Sequence, residues 1–317
     1  MKYLITGCAG FAARHFIELL NANDKDAEVY GLDRNEPVFY PESIPGVKFS
    51  FLKADLSDKN VFKKVLNSFV PDYILHLASA SSVQYSWQHP VESFLNNNSI
   101  FLALLDAIRE SNISCRILST GSSDVYGTNA NNFPLISEDA PLNPASPYAA
   151  AKAAQEMMAK IYTESFGLDI IQTRSFTHFG PYQKDNFVLA KFAKHLTLIK
   201  RGLQPPELLT GNIDIIRDMT DVRDMVKAYY QLFKYGKTGT VYNVCSGEGH
   251  SLRNVIDIMC SHLSIKVELK IDKALLRNGE ILSIVGSNKK IMQDANWQTT
   301  ISFEEAIADL LSYWSNI

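Results

Sequence analysis

The chain has 317 residues, 46% hydrophobic and 21% charged, with a formal net charge of −3. That is enough to bury a large core and to build two lobes. The mild acidity and the lack of a long basic run exclude a nucleic-acid partner, and the apolar stretch Ile100–Leu105 is too short to span a bilayer, so no membrane partner is expected.

In chain order, Lys2–Thr6 reads as a short buried strand. Gly7-Cys8-Ala9-Gly10-Phe11 follows, then a helical stretch from Ala12 to Leu20. A strand, a glycine turn and a helix N-terminus make an anion site: Gly7 permits the turn, and Gly10 lets the backbone approach a pyrophosphate. The third glycine of that fingerprint falls at Ala13, where alanine is tolerated. Glu28–Asp33 reads as a second strand ending in a carboxylate, placed for the adenosine ribose hydroxyls. Asp33 would repel a 2′-phosphate and so points to NAD(H), while Arg34 beside it leaves NADP possible.

Strands are expected at Val47–Lys53, Asp72–Ala78, Arg116–Thr120 and Asp169–Thr173, with helices at Asn60–Phe69 and Val91–Glu110 between them. This rhythm predicts an α/β fold, a doubly wound parallel (Rossmann) sheet with a smaller C-terminal substrate-binding lobe. Residues 1–176 form the NAD(P)-binding domain and 177–317 mainly the second lobe, with 213–247 returning to the Rossmann sheet through a strand at Gly239–Cys245. Glycine and proline become frequent after Phe176, as an irregular lobe requires. Ser146-Pro147-Tyr148-Ala149-Ala150-Ala151-Lys152 opens a further helix, with proline suited to its first turn. Tyr148 and Lys152 share one face of it, and a cation near a phenol lowers the phenol's pKa, which suits proton transfer to or from a carbinol oxygen. The four cysteines, Cys8, Cys115, Cys245 and Cys260, are far apart without metal-ligand spacing. Reduced thiols and no metal are expected, in a cytoplasmic protein without signal-peptide architecture.

Gly7-x-x-Gly10-Phe11, Gly121-Ser122-Ser123-Asp124-Val125-Tyr126-Gly127 and Tyr148-x-x-x-Lys152 resemble the extended short-chain dehydrogenase/reductases that act on nucleotide sugars. The resemblance runs the whole length. Arg217-Asp218, Thr220-Asp221-Val222-Arg223-Asp224 and Val241–Gly247 are similar to the branch of GDP-mannose-type reductases and 4,6-dehydratases. The resemblance implies Ser122, Tyr148 and Lys152 as catalytic residues. It implies Gly7, Gly10, Phe11, Asp33, Arg34, Asp55, Leu56, Leu77, Ala78 and Ser79 along the cofactor, with Tyr148 and Lys152 touching it too. Ser81, Ser123, Asp124, Thr177, Asn186, Val188, Lys191, Arg217, Arg277 and Glu280 would meet the substrate, a nucleotide sugar of GDP type. It also implies a homodimer through the 91–110 helix and the Tyr148 helix.

Some residues carry plainer readings. Arg217 could pair with Asp218 or Asp221, Ser123 and Asp124 suit a turn, and His178 suits packing. Thr177 stands where these relatives place an Asn, and Asn278-Gly279 replaces their Pro-containing step before Glu280. Asp124 is one methylene shorter than the dehydratases' Glu. Reductase, C4 dehydrogenase, 4,6-dehydratase and 4-epimerase all remain open. A non-catalytic nucleotide-binding subunit is disfavoured because Tyr148 and Lys152 are both present.

Overall fold

The computed structural model describes residues 1–38, 44, 46–272, 275 and 281–317. The first half alternates strand and helix: β1 (Lys2–Thr6), α1 (Phe11–Asn23), β2 (Ala27–Asp33), β3 (Val47–Lys53), α2 (Lys59–Ser68), β4 (Tyr73–His76), α3 (Val83–Gln88), α4 (Pro90–Ser111) and β5 (Arg116–Thr120). A 3-10 segment, Ser123–Asn132, precedes α5 (Pro147–Phe166) and β6 (Asp169–Ser175). The second half holds β7 (Thr177–Phe179), α6 (Val188–Lys200), β8 (Glu207–Thr210), β9 (Ile216–Asp221), α7 (Val222–Tyr235) and β10 (Val241–Val244). It closes with β11 (Gly249–Ser251), α8 (Leu252–Leu263), β12 (Glu268–Ile271), β13 (Ser283–Ile284), α9 (Lys289–Ala295) and α10 (Phe303–Ser315).

Seven strands form one sheet in the order β10-β6-β5-β4-β1-β2-β3, every neighbouring pair parallel. The expected doubly wound sheet is present. Its order reverses between β1 and β4, and in such sheets ligands sit beyond the strand C-termini at that reversal. Both faces are covered. Phe16, Tyr229, Phe233 and Trp297 pack on one side, and Phe62, Phe101, Leu104 and Tyr162 on the other. Each such side chain contributes about 1.5–3 kcal/mol on burial.

The segment 213–247 divides. α7 packs on the large sheet and β10 forms its edge, but β9 pairs with β7, β11 and β13 in a second sheet. A third apolar cluster, built on α6, α8 and α10, underlies that second lobe. Among the described residues no helix is long and apolar enough to cross a membrane.

Candidate active site

The glycine turn lies at the sheet's reversal. Gly7 has φ +73°, and a Cβ there would sit 2.7 Å from the Ala78 amide nitrogen, so only glycine lets β1 and the end of β4 approach so closely. Gly10 caps α1 without any side-chain hydrogen bond. The first amides of that helix therefore have no side-chain cap. Asp33, at the end of β2, accepts from the amide of Ala9 at 3.0 Å and from that of Asn35 at 2.9 Å. Its carboxylate is thus fixed against the glycine turn.

Arg34 lies near enough to Asp55 to help hold that carboxyl below its usual range, after the hydrogen bonds from the Ser57 amide and hydroxyl. Leu56 is buried beside it. Ala78 is buried after β4, Leu77 is half-buried, and the Ser79 hydroxyl is buried without a hydrogen-bond partner. The Phe11 ring stacks on His178, centroids 5.7 Å apart. His178 is packed in this way, and burial pushes its pKa down.

Ser122, Tyr148 and Lys152 converge. Ser146 caps α5 through the amide of Ala149, and Pro147 occupies its first turn. Tyr148 and Lys152 are both buried on this helix. Ser122 caps the 3-10 segment through the amide of Asp124, and its hydroxyl meets the Tyr148 phenol. Burial and then the Asp124 charge push the phenol's pKa up, and the Ser122 hydrogen bond opposes them.

Lys152 turns to the end of β5. Its ammonium donates to the Thr120 carbonyl at 2.8 Å. Burial lowers its pKa to about 8, because a desolvated ammonium is disfavoured.

Beneath it lies a polar group that the sequence reading missed. The Thr120 hydroxyl donates to the His76 carbonyl at 2.8 Å, and the His76 Nδ1 is 2.8 Å from the Thr6 hydroxyl. Burial, then the Lys152 charge, lowers His76 to about 3, so it stays neutral. A histidine inside the apolar run Tyr73–Leu77 was the available signal. Its partners lie 70 and 44 residues away in sequence and could not be read from it.

The substrate side is more scattered. Ser123 is buried, Asp124 half-buried and Ser81 exposed ahead of α3. Thr177 is half-buried on β7; Asn186, Val188 and Lys191 are exposed at the start of α6. Arg217 lies on β9 beside Ile284 of β13 and donates to the Ile216 carbonyl. The Asp218 carboxylate accepts from Ser246, Gly247 and Gly286, and that of Asp221 from Arg223. Arg277 and Glu280 lie outside the described residues.

A family model described as GDP-mannose 4,6 dehydratase matches residues 4–310. The chain belongs to this family. Among its relatives, GDP-6-deoxy-D-mannose reductase of Pseudomonas aeruginosa is 29% identical over 99% of this chain and 97% of its own length. GDP-mannose 4,6 dehydratase 1 of Arabidopsis thaliana is 29% identical over 96% of this chain and 87% of its own. The structure of RMD from Pseudomonas aeruginosa complexed with NADPH superposes with a TM-score of 0.86 at 29% identity, covering 99% of both chains. The UDP-glucose 4-epimerase of Thermus thermophilus in complex with NAD gives 0.85 at 28% identity, also over 99% of both.

An NAD(P) cofactor fits the family's site in this chain. The bare α1 N-terminus suits a pyrophosphate, Asp33 a ribose diol, and the unpartnered Ser79 hydroxyl a further polar group. Among the described residues no cluster suited to a metal ion occurs.

Proposed function

We propose that this protein is an NAD(P)-dependent oxidoreductase acting at C4 of a nucleotide sugar, with a GDP-linked sugar of the manno series as substrate. The observation that carries this reading is the approach of Ser122 to Tyr148, with Lys152 tied through Thr120 and His76 to Thr6, the residue before the Gly7 turn. The bound nicotinamide supplies or accepts the hydride. Ser122 holds the sugar's O4, and Tyr148 gives O4 a proton when a ketone is reduced or takes one when an alcohol is oxidised. Lys152, held by the Thr120 carbonyl, would hold the nicotinamide ribose. Arg217 offers a forked set of donors to the diphosphate.

Asp33 favours NAD(H). A homodimer built on α4 and α5, in the cytoplasm where NAD(P) is supplied, completes the reading. The two helices pack together and still expose Val91, Phe94, Leu95, Met157 and Ile161.

A second reading, a 4,6-dehydratase, is favoured by one observation. The Asp124 carboxylate lies close enough to Tyr148 to raise its pKa, so a second acid–base group stands at the site.

The test has two parts. Mass spectrometry of small molecules released from the denatured protein should find NAD(H) or NADP(H). The purified protein should then change reduced-nicotinamide absorbance with GDP-4-keto-6-deoxymannose or a GDP-hexose. Failure with GDP-, UDP- and dTDP-sugars alike would overturn the proposal.

A further inference from the structure

Arg174 projects from β6 into the junction between the catalytic helix and the segment that carries Ser122, and it is buried. Its Nε and Nη2 donate to the two carboxylate oxygens of Glu156 at 3.0 and 2.6 Å. Its Nη1 donates to the Glu138 carbonyl at 2.8 Å and to the Tyr126 hydroxyl at 3.0 Å. The Tyr126 hydroxyl donates onward to Asn243 Oδ1 at 2.6 Å. Asn243, on β10, donates its backbone amide to the Glu138 carboxylate at 2.8 Å and its side-chain amide to the Ile136 carbonyl at 2.9 Å.

These partners are spaced in a particular way. Glu156 lies one turn beyond Lys152 and two beyond Tyr148, on the same face of α5. Tyr126 lies one turn into the 3-10 segment that Ser122 caps. One planar guanidinium therefore fixes α5 to the Ser122 segment, with β10 as a third anchor. An apolar side chain could fill this space without the desolvation penalty of a buried ion. What the guanidinium adds is direction: its donors lie in one plane at fixed angles, which a lysine ammonium cannot reproduce.

We propose that Arg174 is a positioning residue for the reaction, holding the Ser122 hydroxyl against the Tyr148 phenol by locking the 3-10 segment to α5. Its hydrogen-bond partners are Glu156, Glu138 and Tyr126, so it acts through the segments they anchor. The inference rests on Tyr148 being the proton-transfer group, and its test is built so that the two can fail separately.

Tyrosines labelled with 13C at Cζ report the hydrogen bonding of each phenol. The Tyr148 signal is assigned by its loss in Tyr148→Phe, and Ser122→Ala shows where it falls without its serine partner. Arg174→Lys keeps the charge and loses the fork, and should move the Tyr148 signal most of the way to the Ser122→Ala position. Tyr126→Phe removes a single hydroxyl of the brace and should move it the same way by less. NAD+ affinity, measured by titration, should stay within about twofold of wild type in both, since the glycine turn and Asp33 are untouched. An unmoved Tyr148 signal in folded Arg174→Lys overturns the proposal, and if that variant does not fold, an unmoved signal in Tyr126→Phe does so. If wild type binds no NAD+, the cofactor assignment fails, while the NMR comparison still decides the role of Arg174.

Discussion

Lys152 donates to the Thr120 carbonyl at 2.8 Å, so the lysine is held by the end of β5 and not by the tyrosine one turn before it. Thr120 is itself tied through its hydroxyl to the His76 carbonyl. The ammonium is therefore buried against the backbone carbonyl that ends β5.

This burial has a consequence for stability. An amine with a folded pKa near 8 against an ordinary 10.5 binds its proton more weakly in the folded state than in the unfolded one. Between those pH values the unfolded chain holds more protons, so stability rises with pH across that window. Below about 8 the penalty is fully developed. Lys152→Met should accordingly stabilise the protein at pH 7, by up to about 3 kcal/mol, and the gain should shrink as pH rises from 8 towards 10.5. Thermal unfolding of both proteins across that range checks the sign; a gain that grows with pH would contradict it.

Tyr148→Phe keeps the ring's packing and removes the hydroxyl that meets Ser122. Turnover on an accepted nucleotide sugar should fall by at least about a hundredfold, with cofactor affinity little changed. Steady-state rates beside a cofactor titration measure both, and near-wild-type turnover would remove Tyr148 from the mechanism.

In the proposed function, Asp33 and Arg34 would make opposing claims on the cofactor's 2′ position. The Asp33 carboxylate is fixed by the Ala9 and Asn35 amides, whereas the Arg34 charge is near enough to Asp55 to help lower that carboxyl's pKa. NAD(H) should bind at least about tenfold more tightly than NADP(H), a difference of about 1.4 kcal/mol. Asp33→Ser should narrow it. Fluorescence titration of both cofactors decides, and a clear NADP(H) preference in wild type would mean that Arg34 governs the site.

Asp124 raises the Tyr148 pKa through its charge. Asp124→Asn should therefore shift the Tyr148 limb of a C4 oxidation profile to lower pH while sparing most of the rate. Wild type incubated with GDP-mannose should give no 4-keto-6-deoxy product. A new C6 methyl doublet in the NMR spectrum of that mixture would instead make Asp124 the dehydratase acid.

The exposed apolar residues of α4 and α5 predict assembly. Light scattering at micromolar concentration should give a dimer mass, and Leu95→Arg with Ile161→Arg should give a monomer, because burying two unpaired charges in an apolar interface is costly. A monomeric wild type would defeat the prediction.

The sequence by itself determined the sheet and its turn. β1 and β3 fall where their apolar runs place them, and Asp33 meets the glycine turn at Ala9 as their spacing requires, because that contact lies within the β1–α1–β2 unit. The Ser146-Pro147 start of α5 was legible for the same reason: capping is local chemistry. Tertiary structure decided the rest. Whether Lys152 faces a phenol or a carbonyl depends on where β5 ends beside α5, and the stacking of Phe11 on His178 depends on two lobes meeting. The division of 213–247, with β9 in one sheet and β10 in another, depends on which strand edges are free. The brace of Glu156, Arg174, Tyr126 and Asn243 joins residues up to 117 apart. No periodicity records such a bond, because a buried polar group is satisfied by whichever partner the folded chain brings within hydrogen-bonding distance.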